Sequence, residues 1–198
     1  TVDDPTWTLH ALPPHPLEKR LIFQNIGRDD YTVDLACYLQ NGGYQQLQKA
    51  ISMSRAEIVN EVKTSGLRGR GGAGFPCGVK WSFIKPDEKK SVYLICNADE
   101  SEPGTFKDRV LLSEFPDLVF DGMTVAGYAL GARKGLLYLR GEYAYLWDAL
   151  QRALQARRSQ GLLGASICGK SGFDFDIRIQ LGAGAYICGE ESSLLESI

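Results

Sequence analysis

Phe173, Phe175, Ile177, Ile179 and Leu181 alternate strictly with Asp174, Asp176, Arg178 and Gln180. A period of two puts the apolar side chains on one side of an extended chain, so this stretch reads as a strand with one buried face. Ser91 to Cys96 contains Val-Tyr-Leu-Ile-Cys, apolar without alternation, the pattern of a strand covered on both faces in a parallel sheet. Gly135-Leu-Leu-Tyr-Leu-Arg140 reads as another strand. The intervening sequence predicts helices at Lys107 to Glu114, from Pro116 to about Ala132 with Pro at the first helical position, and at Tyr143 to Arg158. Strands alternating with helices specify an α/β domain of three layers around a largely parallel, Rossmann-like sheet.

Residues 1–43 hold four of the eight prolines, both histidines and the turn Asn41-Gly42-Gly43, so they read as an irregular arm, leaving 44–198 as the α/β domain. Tyr44 to Ile51 can form a helix. Ser54-Arg-Ala-Glu57 is a capping box, Ile58, Val59 and Val62 supply an apolar stripe, and Gly66 stands at the stop. The chain begins at Thr1 and stops at Ser-Leu-Leu-Glu-Ser-Ile inside a helical pattern, which leads us to expect a piece of a longer polypeptide.

A formal net charge of −2 gives no whole-molecule electrostatic case for nucleic acid, so any anion site is local. No uncharged apolar run approaches the roughly 18 residues of a membrane span, so direct membrane insertion is not expected. The five cysteines are odd in number and widely spaced, which favours reduced thiols in a cytosol-like compartment. Cys77 and Cys188 lie in glycine loops without a basic partner of catalytic type. With His10 and His15 both in the arm, a histidine-based metal site is not expected.

The candidate chemistry lies in three loops. Gly66 to Trp81 carries six of the 22 glycines together with Arg68, Arg70 and Lys80. Backbone this poor in Cβ atoms lets amide N–H groups approach an anion, as in a phosphate cradle. Gly69-x-Gly71-x-x-Gly74 spells the dinucleotide fingerprint, but a capped helix precedes it where the Rossmann unit has a strand, and Asp87 and Glu88 fall in a polar turn. Gly164-Ala-Ser-Ile-Cys-Gly-Lys-Ser171 spells a phosphate loop, yet a helix precedes it and a strand follows, the reverse of what that motif needs. It reads as a turn.

Asn97-Ala-Asp-Glu-Ser-Glu-Pro-Gly-Thr105 follows an expected strand and sets Asp99, Glu100 and Glu102 within four residues. Such a cluster can bind a divalent metal, act as acid and base, accept hydrogen bonds from ligand hydroxyls and ring N–H groups, or stand as a solvated turn. The third loop, Gly182 to Gly189, runs into Glu190-Glu191. Two carboxylate loops and one cationic loop suggest convergence on a polar, extended ligand. Phe75, Phe83 and Tyr186 beside them are core residues or stacking platforms.

Taken together, Gly66-Leu-Arg-Gly-Arg-Gly-Gly-Ala-Gly-Phe-Pro76, Asn97 to Thr105 and Gly182-Ala-Gly-Ala-Tyr-Ile-Cys-Gly-Glu-Glu191 resemble the FMN-containing, NADH-oxidising subunit of respiratory complex I. They also resemble its relatives, the diaphorase subunits of NAD-reducing hydrogenases and NAD-linked formate dehydrogenases. The likeness runs from about Lys19 to the end.

That resemblance implies FMN phosphate against Gly69, Arg70, Gly71 and Gly72 with Lys80 also at the flavin, Asn97, Asp99 and Glu100 on the ribityl chain and ring, and Gly189, Glu190 and Glu191 closing the other side. It implies NADH over the flavin, with Phe75 and Phe83 at the adenine and Glu102 and Tyr186 at the nicotinamide half. Hydride would pass from nicotinamide to flavin, and single electrons to iron-sulfur clusters of a larger complex, a thioredoxin-like 2Fe-2S subunit among its partners. The cofactor carries that reaction, so no catalytic side chain is expected. The location implied is the cytoplasm or the matrix side of the mitochondrial inner membrane. A 4Fe-4S cluster is expected in full-length relatives, but its Cys-x-x-Cys-x-x-Cys ligands are not in this chain. The alternative is a structural subunit of the same complex without flavin chemistry.

Overall fold

The computed structural model describes residues 15–85 and 90–198; the start of the arm, with His10, and the turn holding Asp87 and Glu88 lie outside them. Three parallel strands, β1 (Tyr93–Ala98), β2 (Lys134–Leu139) and β3 (Asp176–Leu181), pair in the order β1-β2-β3. The crossover from β1 to β2 contains α5 (Lys107–Glu114) and α6 (Pro116–Leu130); that from β2 to β3 contains α7 (Trp147–Ser159). The sequence expectations for α5 and for the start of α6 match these bounds. Ahead of the sheet come α1 (Leu35–Gln40), α2 (Gln45–Ile51), α3 (Arg55–Thr64) and α4 (Cys77–Ser82), and α8 (Glu191–Ser197) follows it.

Alternation along β2 explains the layers. Leu137 and Leu139 share a core with Phe120 and Met123 of α6 and Leu150 and Leu154 of α7. Tyr138 points the opposite way and packs with Cys188 and Leu194, which places α8 over the other face. On β3, Ile177 and Ile179 are buried while Arg178 is exposed, as the alternating pattern requires, although Leu181 at the strand's end is exposed.

Three local expectations need correction. The strand buried on both faces is β2, not β1. With β1 at the edge of this sheet, Tyr93 is 54% exposed, because strand order and not the composition of a short apolar run decides which strand is central. The arm is not wholly irregular: Asp34 accepts the Cys37 N–H at 2.8 Å and starts α1. The segment expected to be helical from Tyr143 begins instead as a 3₁₀ turn, Gly141–Leu146, before α7.

Candidate functional site

Because the strands run parallel, the segments leaving Ala98, Leu139 and Leu181 emerge at one edge of the sheet, the edge at which open α/β sheets place ligands. The last of these segments joins the other loops. The Asn97 side-chain amide donates to the Cys188 carbonyl at 3.0 Å, and the Tyr186 hydroxyl donates to the Glu102 carboxylate. From the glycine loop, Lys80 pairs with Glu191. That pair is exposed, and exposed pairs contribute only about 0–1 kcal/mol, so an anionic ligand can open it at little cost.

The glycine loop starts where α3 stops. The capping box of α3 forms in both directions between Ser54 and Glu57, and Gly66 then takes φ +68. Beyond it, the Gly69 N–H donates to the Phe75 carbonyl at 2.9 Å and the Cys77 N–H to the Leu67 carbonyl at 2.8 Å, while the Arg68 guanidinium braces the Gly74 carbonyl at 3.3 Å. These bonds close a turn whose inner amides, from Arg70 to Gly74, have no hydrogen-bond partner among the described residues. Gly72 sits at φ +112 with open space where a Cβ would lie. These residues are exposed apart from the half-buried Gly74, so the amides are open to solvent, and a run of them beside Arg70 fits a phosphate. The Phe75 and Phe83 rings stand at this loop with centroids 6.3 Å apart, tilted by 53°, and 48% and 64% exposed, as stacking platforms must be.

The other phosphate-loop spelling is accounted for without a ligand. The amides of Ser166, Ile167, Cys168, Gly169 and Lys170 bond respectively to Asp174 Oδ1, Phe173 O, Gly161 O, Ser166 O and Ile167 O. None of these five remains for a phosphate.

In the acidic loop the carboxylates divide. Asp99 accepts the Ser101 hydroxyl at 2.9 Å through Oδ2, while its Oδ1 is buried and has no hydrogen-bond partner among the described residues. An orphaned acceptor at a ligand edge fits a hydroxyl or N–H donor from a cofactor. Glu102 is exposed and holds Tyr186, whose phenol it raises above its ordinary pKa through that hydrogen bond. Glu100 is buried and turned away, and Asn97 spends its side chain on the Asp99 N–H, at 2.9 Å, and on Cys188.

Glu190 caps α8, accepting the Ser192 and Ser193 N–H groups at 3.1 Å each. The Ser192 hydroxyl and these amides pull its carboxyl down to about 2. A depressed acid gives stability that is fully present above its unfolded pKa and is lost as pH falls through the folded one. The cap is therefore expected to persist to acid pH, weakening from near 4.5 down to about 2. Following the Glu190 carboxyl ¹³C shift against pH checks this: the midpoint lies near 2 in the wild type and returns towards 4.5 when Ser192→Ala removes the largest cause.

Sequence reasoning missed two residues behind the loop. Arg140 donates to the Glu100 carbonyl, and the Tyr143 hydroxyl donates to Glu100 Oε1 at 2.9 Å. No local pattern in Gly141-Glu-Tyr143 announces a partner 40 residues upstream. Burial raises the thiols of Cys77 and Cys96, the latter to about 12, so neither is a poised nucleophile. Among the described residues no group of three or more His, Cys, Asp or Glu side chains could hold a metal ion, and no helix is long and apolar enough to cross a membrane.

A parallel open sheet with an amide-lined cationic loop, an orphaned carboxylate oxygen and a pair of exposed rings around its C-terminal edge defines a nucleotide-cofactor-binding α/β domain. The chain belongs to the Nuo51 FMN-binding domain family, whose description matches residues 62–198. It is 58% identical over 151 residues to the alpha subunit of the NAD-reducing hydrogenase HoxS of Cupriavidus necator, covering 76% of this chain and 25% of that protein. It is 48% identical over 187 residues to an NADH-quinone oxidoreductase subunit of Escherichia coli, covering 93% of this chain and 40% of that one. A crystal structure of an NAD⁺-reducing [NiFe]-hydrogenase in the H₂-reduced state superposes with a TM-score of 0.67 at 42% identity, over 85% of this chain and 28% of the other. The chain thus spans between a quarter and two fifths of the length of these relatives.

Proposed function

We propose that this chain forms the FMN- and NADH-binding part of an NADH:acceptor oxidoreductase. The observation that carries the reading is the run of amides from Arg70 to Gly74, without a partner among the described residues, in a loop tied through Lys80 to Glu191. In this reading residues 44–198 are the cofactor domain and 1–43 an N-terminal arm. When bound, FMN supplies the acceptor for the hydride of NADH and the means of releasing electrons singly.

The protein's part is to bind and orient. Amides from Arg70 to Gly74, with Arg70 and Lys80, take the flavin phosphate. Gly69 shapes the turn and Gly71 and Gly72 keep it open. Asp99 Oδ1 accepts from the ribityl chain or ring. Asn97, Gly189 and Glu190 fix the wall behind, and Glu191 meets the ligands once Lys80 is drawn off. Phe75 and Phe83 stack the adenine of NADH, while Glu102 and Tyr186 hold the nicotinamide half. The proposed partners are iron-sulfur subunits of a multi-subunit redox complex of hydrogenase or complex I type, a thioredoxin-like 2Fe-2S protein among them, on the cytoplasmic or matrix side. The relatives named as subunits of such enzymes support this.

Glu102→Ala tests the division of the cleft. A hydrogen bond to a charged group contributes about 1.5–3 kcal/mol, so KM for NADH in the NADH:ferricyanide assay is expected to rise roughly tenfold to a hundredfold. FMN content stays at the wild-type level. Equal loss of both would place Glu102 elsewhere.

A further inference from the structure

Glu100 sits between two exposed or ligand-facing acids but does different work. Its side chain is 2% exposed. Oε2 accepts the Asp108 N–H at 2.8 Å and lies 3.7 Å from Lys107 Nζ; Oε1 accepts the Tyr143 hydroxyl at 2.9 Å and the Arg109 N–H at 3.4 Å. Asp108 and Arg109 stand in the first turn of α5, where a helix has free N–H groups, and Phe106 at the N-cap makes no side-chain bond. The cap that Phe106 lacks thus arrives from Glu100, upstream in sequence. With Arg140 on its carbonyl, Glu100 is fixed at both backbone and side chain, and the loop from Ser101 to Phe106 becomes a ring closed on α5. Asp99 and Glu102 flank the clasp.

We propose that Glu100 is a positioning residue: by capping α5 from the acidic loop and receiving Tyr143, it sets Asp99 and Glu102 at the cleft, without touching the flavin. The proposal rests on the reading of that cleft as an FMN and NADH site. A carboxylate this buried, with donors on both oxygens, has no face left for a cofactor. Removing it frees the first turn of α5 and lets the ligand-facing carboxylates drift.

The test uses the full-length protein with four variants: Glu100→Ala, Phe106→Asp, the two combined, and Tyr143→Phe. Readouts are hydrogen exchange at the Asp108 and Arg109 amides, the FMN dissociation constant from titration of the apoprotein, and KM for NADH against kcat. Loss of an N-cap carries about a tenfold effect, so Glu100→Ala is expected to speed exchange at both amides and to weaken FMN and NADH each by about that factor, with kcat at saturating FMN little changed. Phe106→Asp alone leaves activity unchanged. In the Glu100→Ala background it supplies the missing cap locally and recovers both exchange protection and affinity.

Recovery of protection with affinity still lost would make Glu100 a direct ligand and overturn the proposal. So would unchanged affinity in Glu100→Ala. Should that variant not fold, Tyr143→Phe removes a single donor and is expected to weaken FMN by about threefold; no change would overturn the proposal equally. Folded wild-type protein that takes up no FMN would sink the cofactor reading and this role together, which separates that failure from one confined to Glu100.

Discussion

Asp117→Ala is expected to lower stability by about 3–5 kcal/mol, because it leaves an uncompensated charge in the core. The lost partner is Arg157 of α7, itself fully buried, which pairs with Asp117 in the first turn of α6. Burial pulls the Arg157 guanidinium below its ordinary pKa, and its remaining neighbours include the neutral Tyr44 phenol, the Ala153 carbonyl and the Phe120 ring, whose centroid is 5.1 Å away. Those cannot neutralise it. For a chain of this size the loss corresponds to a fall of roughly 6–20 °C in Tm. Urea denaturation of Asp117→Ala beside the Asp117→Leu/Arg157→Met double variant checks the cause. Removing both charges is expected to cost far less than removing one, since a buried ion pair is often no more stabilising than an apolar pair of similar volume.

Gly78→Ala is expected to destabilise by about 2–3 kcal/mol and to weaken FMN binding as well. A Cβ at residue 78 would lie 2.3 Å from the Lys63 nitrogen and 2.4 Å from its Cα, both backbone atoms of α3 that cannot swing aside. The only relief is for α4 to move off α3. That displaces Lys80, two residues on, and the glycine loop just before it. Helix propensity alone predicts the opposite sign, a gain of about 1 kcal/mol. Thermal unfolding with FMN titration therefore separates the two: a more stable variant with unchanged affinity would refute the close approach.

What the sequence disclosed depended on how local the cause was. The α3 capping box, the Pro116 start of α6 and the alternation around Ile177 and Ile179 are decided within a few residues, and all appear where expected. The edge position of β1 is a long-range fact. Val92 to Cys96 is as apolar as a central strand, and only its pairing with β2 alone tells otherwise. The α1 helix did carry a signal, Asp34 ahead of Leu35 and Tyr38, which its shortness and the Asn41-Gly42-Gly43 turn behind it obscured.

The three loops of the site were legible as glycine and carboxylate runs; the shared edge of the two acidic loops followed from the parallel sheet, and the glycine loop joins them through Lys80 and Glu191. Their division of labour was not. Asp99, Glu100 and Glu102 are chemically alike in sequence, yet one has an orphaned oxygen, one is a buried clasp and one is exposed against Tyr186. The partners that separate them lie up to 84 residues away. The order of the elements flanking Gly164 to Ser171 argues against a phosphate loop there, and the bonded amides from Ser166 to Lys170 agree.

The central claim is that the amide-lined loop and the acidic edge hold FMN within reach of NADH. The visible spectrum of the full-length protein, purified in its native state and recorded before and after anaerobic NADH, tests it most directly. About one flavin per chain is expected, released as FMN on denaturation and bleached by NADH. Folded protein without flavin, or flavin that NADH leaves oxidised, would contradict it.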